Sequence, residues 1–193
     1  MQEDMDNKLL FVDDNLKREA NMPKAYWHGL PKTEQIPNNG LIRKYFEDHV
    51  KAFSNSTIPN MFINVGSLGA SEQALTKVVI GFLARSFRVY CVSAPFLLET
   101  IENKSLYIGD CENGWESITN VKVLAIYGLG AEPDNDFGKA NTALLKVIER
   151  RFFLGLPTLF CSSMTHEEII KSNLYSPHLL NRIFSNCVII RSN

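Results

Sequence analysis

Met61-Phe62-Ile63-Asn64-Val65-Gly66-Ser67-Leu68-Gly69-Ala70-Ser71-Glu72-Gln73 is the stretch that decides the fold. Met61 to Val65 is a short apolar run closed by Gly66, which predicts a buried strand. Apolar Ala70 to Ala84 predicts a helix directly behind it. Towards the C-terminus the alternation repeats. Strands are predicted at Arg88 to Val92, Val121 to Tyr127, Pro157 to Cys161 and Cys187 to Ile190. Helices are predicted between them at Pro95 to Asn103, Asn141 to Phe153, His166 to Lys171 and Pro177 to Phe184. Continuous apolar strands alternating with helices imply βαβ units and a parallel sheet covered on both faces. Such sheets place ligands beyond the C-terminal ends of their strands. The informative residues are therefore those just after Val65, Ile126 and Cys161.

Towards the N-terminus, Leu41, Tyr45, Phe46, Val50 and Phe53 recur near the helical period and predict a helix over Gly40 to Ser54. Residues 1–39 are polar and punctuated by Pro23, Pro31 and Pro37. They read as a largely extended arm with one short helix, ahead of a core over 40–193.

The 193 residues suffice for one α/β domain, and 45% apolar with 21% charged residues is the composition of a globular protein. A net charge of −1 excludes a strong overall basic field, so any nucleic-acid contact must come from a local patch. No run approaches the ~18 apolar residues of a membrane span, and acidic Met1 to Asp6 has no apolar segment behind it as a leader would. Cys91, Cys111, Cys161 and Cys187 form no CxxC pair. Cys91, Cys161 and Cys187, each in or beside an apolar run, read as buried reduced thiols, which suits a cytoplasmic location. The four histidines lack metal-ligand spacing, and no Ser–His–Asp or Cys–His arrangement supports a hydrolase. No metal site is expected.

The loop after the first strand bears comparison with the phosphate-binding pattern GxxxxGK[ST]. Glycines in that pattern let backbone N–H groups cradle phosphate, Lys neutralises it, and Ser/Thr holds Mg²⁺. Here Gly66 and Gly69 occupy the first and fourth positions. Ser71 stands at the second motif glycine, Glu72 at the Lys and Gln73 at the Ser/Thr. Glu72 reverses the charge that a triphosphate needs. The positive end of the helix dipole remains, for an anion or for Glu72 itself. Taken alone, the loop equally describes a strand–turn–helix corner that never bound phosphate.

Further motifs follow in order. Ala20-Asn21-Met22-Pro23-Lys24-Ala25-Tyr26-Trp27 looks like an A-x-[IM]-P-x-x-[YF] segment leading into an ATPase core. Val123 to Gly130 aligns with a Walker B strand, with Tyr127 and Gly128 at its two acidic positions. Arg151 with Pro157-Thr158 looks like R-x-x-x-x-x-P-T. Cys161-Ser162-Ser163 looks like a T-S-N sensor with Ser163 in place of Asn. Leu179 to Ile183 resembles a segment whose arginine, Arg182, is a candidate finger. In order and spacing these resemble the AAA+ P-loop ATPases of the DnaC/DnaI helicase-loader type and the related transposition ATPase IstB, over about Ala20 to Ile190. The resemblance implies a three-layer core on a five-stranded, mainly parallel sheet, without a C-terminal lid. It also implies ancestry in DNA replication or recombination.

The departures bear on activity. Phosphoryl transfer is almost wholly positioning and charge, and Glu72, Tyr127, Gly128 and Ser163 remove charge or reach. The expectation is a degenerate, catalytically inactive relative without a cofactor, which acts by binding a helicase, an active ATPase partner or DNA. Contacts would come from the arm (Leu9, Leu10, Phe11, Trp27) or from a basic patch of Lys146, Arg150 and Arg151, which could also meet single-stranded DNA. Glu132, Asp134 and Asp136 read as a solvated loop. Two alternatives stay open: a nucleotide-binding ATPase with a variant site for ATP and Mg²⁺, and an interaction module that inhibits a partner loader by joining its oligomer.

Overall fold

The computed structural model describes residues 12–26, 39–50, 58–102, 113–132 and 137–191. Leu9, Leu10, Phe11, Trp27, Cys111, Asp134 and Asp136 lie outside them. Five strands form one sheet: β1 (Asn60–Asn64), β2 (Val89–Ser93), β3 (Val123–Tyr127), β4 (Thr158–Cys161) and β5 (Cys187–Arg191). Their order is β2-β3-β4-β1-β5, and every neighbouring pair is parallel. Phe62 in central β1 sits opposite Phe160 of β4 and Ile189 of β5.

Side chains alternate across the sheet and feed two apolar layers. Met61, Ile63, Val123, Ala125 and Tyr127 face one layer, formed with α2 (Asn39–Tyr45), α3 (Leu68–Leu83) and the residues Val12, Ala20 and Met22 that flank α1 (Asp14–Glu19). Phe62, Leu124, Ile126 and Phe160 face the other. That second layer takes in α4 (Leu97–Glu102), α5 (Gly114–Asn120), α6 (Phe137–Phe153), α7 (His166–Lys171) and α8 (Pro177–Phe184). Helices on both faces of a parallel sheet match the expected three-layer architecture.

Several boundaries differ from the sequence reading for local reasons. α3 starts at Leu68 rather than Ala70, because the Ser67 Oγ accepts from Ala70 N and caps the helix there. α2 passes into a π turn over Phe46–Val50. Phe46 thereby packs onto α3 at Gly81, where a Cβ would come within 2.7 Å of its ring. α5 was not expected at all. It is seven residues long and held by the Asn113 side chain, which accepts from Glu116 N.

Part of the arm belongs to the packed structure. Val12, Ala20 and Met22 are buried in the α3-side layer. Cys91 N of β2 donates to Ala20 O at 2.8 Å, and Asn21 Nδ2 donates to Cys91 O at 2.9 Å. Asn21 holds φ at +50°, a left-handed conformation that Asn tolerates better than most residues. A short 3-10 turn over Lys24–Tyr26 then carries Tyr26 to α3.

Candidate functional site

β3, β4 and β1 are neighbours, so the segments after Tyr127, Cys161 and Asn64 meet at one end of the sheet. This brings Gly66, Tyr127, Gly128 and Ser163 to a common region, as the sequence order requires.

Only Val65, Gly66 and Ser67 separate β1 from α3. Gly66 turns the chain at φ +98°, a conformation that strains any residue with a Cβ. The loop then closes on itself. Ser71, fully buried at the second motif glycine, accepts from Val65 N at 3.0 Å and donates to Ser67 O at 2.8 Å through one hydroxyl. A glycine there would leave Val65 N without that partner. Gly69 lies exposed in the first turn of α3, and Gln73 is half-buried in the second.

Glu72 also lies beyond the first turn, so the helix start is capped by Ser67 and not by Glu72. Its carboxylate instead accepts from the Tyr26 hydroxyl at 2.5 Å. Burial first, and this carboxylate second, push the Tyr26 phenol well above its ordinary range, so it stays a donor.

Tyr127 is buried at the Walker B position, its hydroxyl 3.1 Å from Thr76 Oγ1, which itself donates to Glu72 O at 2.7 Å. Burial raises the Tyr127 phenol too, leaving a neutral bridge from β3 to α3. Gly128 follows at φ +73°, and Leu129 N donates to Cys161 O at 2.9 Å, joining the ends of β3 and β4.

Ser163 is exposed, whereas its neighbour Ser162 is fully buried. Ser162 Oγ donates to Leu129 O at 2.6 Å and accepts from Met164 N at 3.0 Å. Ser162 O accepts from the Asn64 amide at 3.1 Å, and Ser162 N donates to Ile63 O at 3.2 Å. Ser162 and Asn64 thus tie three strand ends together, and sequence reasoning selected neither. It also misplaced Glu132. That carboxylate is 7% exposed rather than solvated, because it accepts from Gly130 N at 2.8 Å and from the Tyr175 hydroxyl at 2.6 Å. Burial raises its pKa, against the pull of those donors.

The expected basic patch divides. Lys146 and Arg150 are exposed on α6. Arg151 is 1% exposed and cannot belong to a surface patch. Its guanidinium donates to Thr158 Oγ1 (2.9 Å) and to the carbonyls of Ile118 (3.0 Å), Thr119 (3.4 Å), Val121 (2.8 Å) and Pro157 (2.6 Å). It clamps the end of α5 to the start of β4, which explains the arginine of R-x-x-x-x-x-P-T in physical terms. Burial pulls its pKa down to about 9. Arg182, the candidate finger, is half-buried, with its guanidinium carbon 4.4 Å from the Phe152 ring centroid. Among the described residues no cluster of three His, Cys, Asp or Glu side chains could hold a metal ion, and no helix is long and apolar enough to cross a membrane.

No protein-family model matches the chain, and no curated protein sequence does. Solved structures do. DnaI superposes with a TM-score of 0.66 at 18% identity, covering 92% of this chain and 97% of that one. The DnaC helicase loader gives 0.62 at 15% identity, covering 89% and 100%. Domain III of the Thermotoga maritima replication initiation protein DnaA gives 0.58 at 15% identity, covering 81% and 62%. At such identities the likeness is one of fold, and the chain shares the fold of these DnaI, DnaC and DnaA structures.

Proposed function

We propose that this chain is a loader-like protein of DNA replication that works by contact with a protein partner, a replicative helicase or an active ATPase, without hydrolysing ATP itself. The observation that carries the reading is the self-closed loop after β1. The Ser71 hydroxyl, at the second motif glycine where a phosphate cradle carries no side chain, bonds both Val65 N and Ser67 O across the loop. The motif lysine is Glu72, already engaged by Tyr26. Opposite charges 4 Å apart attract by about 4 kcal/mol at an effective dielectric of 20, so a carboxylate there turns attraction into repulsion of similar size before screening. Tyr127 offers a neutral phenol where Mg²⁺ would need a carboxylate. These residues do not fit a magnesium triphosphate. The helix-end and strand-end bonds of Ser67, Ser162 and Asn64 instead make this end of the sheet a rigid, internally satisfied surface. Two solved structures of this fold are named as a helicase loader and a replication initiator, which supports the replication setting. The thiols of Cys91, Cys161 and Cys187 suit a reducing cytoplasm.

The reading is tested in two steps. A fluorescent ATP analogue with Mg²⁺ should show no saturable binding below about 100 μM. A tighter constant, more than about 5 kcal/mol of binding, would overturn the claim of an inactive site. The full chain should also co-elute with the replicative helicase or loader ATPase of the cell in which it works, in the absence of nucleotide. Failure to associate with either would remove the loader-like role.

A further inference from the structure

At the opposite end of the sheet, the last two residues of α6 and the one after it are consecutive large apolar side chains that face solvent. Phe152 is 47% exposed, Phe153 76% and Leu154 42%. Single exposed apolar residues are ordinary, but a contiguous group beside a groove marks a contact site. The groove is a cavity of about 380 Å³ at the starts of β1 and β4, lined by Ile58, Ile148, Phe152, Leu156, Arg151 and Arg182.

Its two arginines carry charge that the described residues leave uncompensated. All five acceptors of Arg151 are neutral oxygens. Arg182 Nε is buried without a hydrogen-bond partner, and its guanidinium lies over the Phe152 ring. A buried donor with no acceptor is costly, and an arriving carboxylate would relieve it. Lys146, Arg150 and Phe153 stand four and three residues apart on α6, so they share one stripe beside the groove. Both exposed cations extend the positive field along the same face that offers the apolar contact.

We propose that this groove docks a segment of a partner protein in which a carboxylate side chain sits next to apolar ones. The carboxylate would bond Arg182 inside the groove, while the apolar neighbours cover Phe153 and Leu154. The volume, at the low end of the range typical of ligand sites, has room for a side chain and its neighbour. A nucleic-acid strand fits less well. Affinity for a phosphate backbone scales with the number of cations that neutralise it. Here Glu149 stands on the same helix, its carboxylate 2.7 Å from His178 Nε2.

The test uses the full chain and fluorescein-labelled peptides of about ten residues built from Leu, Phe and Gly with paired Asp residues, read by fluorescence anisotropy. The same peptides with Asn for Asp, and a labelled oligothymidylate, are the comparisons. The acidic peptides should bind about tenfold or more tighter than their amide counterparts. Phe153→Ser and Arg182→Gln should each weaken that binding by about tenfold or more, with Phe153→Ser leaving the melting temperature in place because the ring is exposed. Equal binding of acidic and amide peptides, or no peptide binding at about 1 mM, would overturn the proposal. So would oligothymidylate binding that needs Phe153 and exceeds that of every peptide. Self-association in sedimentation velocity that Phe153→Ser abolishes would assign the face to a second copy instead.

Discussion

Replacing Arg151 by Met should destabilise the chain although it removes a buried charge. Four of the guanidinium's five bonds are 3.0 Å or shorter. Bonds from a charged donor contribute about 2 kcal/mol each, so about 8 kcal/mol is at stake. Relieving the burial that draws the Arg151 pKa down to about 9 returns about 5 kcal/mol. The balance is a loss of about 3 kcal/mol, or a fall of roughly 6–12 °C in melting temperature for a chain of this size. Urea titration of the purified variant, followed by circular dichroism, reads the free energy directly. Arg151→Lys should also lose stability, because a single ammonium cannot span acceptors on both α5 and β4. Arg150→Met, on the exposed face, should move stability by no more than about 0.5 kcal/mol. An Arg151→Met protein as stable as the parent, or an Arg150→Met protein equally damaged, would refute the clamp.

Glu72→Lys restores the motif's charge but not its geometry, since Ser71 still closes the loop and α3 still begins at Leu68. ATP binding should stay weaker than about 100 μM, while proteolysis around residues 12–26 accelerates with loss of the Tyr26 bond. A constant tighter than about 100 μM would contradict this. Alkaline stability follows from the thiols. Burial pushes Cys91, Cys161 and Cys187 each up to about 12, above the unfolded value of about 8.5. Between those limits the folded chain holds more protons than the unfolded one, so their contribution is complete below the unfolded pKa and is lost as pH rises towards 12. Arg151 opposes this with a single proton of the other sign, leaving a decline of about 3 kcal/mol per pH unit within the window. Urea midpoints between pH 8 and about 10.5 should fall accordingly, and a flat profile would count against the buried thiols.

Segment order was legible because a buried parallel sheet writes itself as apolar runs. α7 and α8 were legible to the residue, since Thr165 and Ser176 are side-chain caps. The site was legible only as positions. Ser163 was preferred to Ser162 because motif alignment ignores which way a side chain points at a strand end. Arg151 was read with Arg150 as a patch, yet its own helix held the correction. Leu144, Val147, Ile148 and Arg151 fall at i, i+3, i+4 and i+7, which places the arginine on the buried stripe. Glu132 gave no comparable signal, because its partner Tyr175 lies 43 residues away.

The pairing of Ala20 and Asn21 with Cys91 has a consequence for how the arm is studied. β2 is an outermost strand, and an outermost strand with free N–H and C=O groups is a template for joining another chain. Two short bonds from the arm occupy part of that template. A truncation that removes residues 1–39 would therefore do more than delete a contact segment. It would bare the β2 margin and favour aggregation, and any lost association in a pull-down would be confounded with misassembly. Single substitutions at exposed arm positions such as Lys24→Ala, which leave the bonds of Ala20 and Asn21 to Cys91 in place, separate the two.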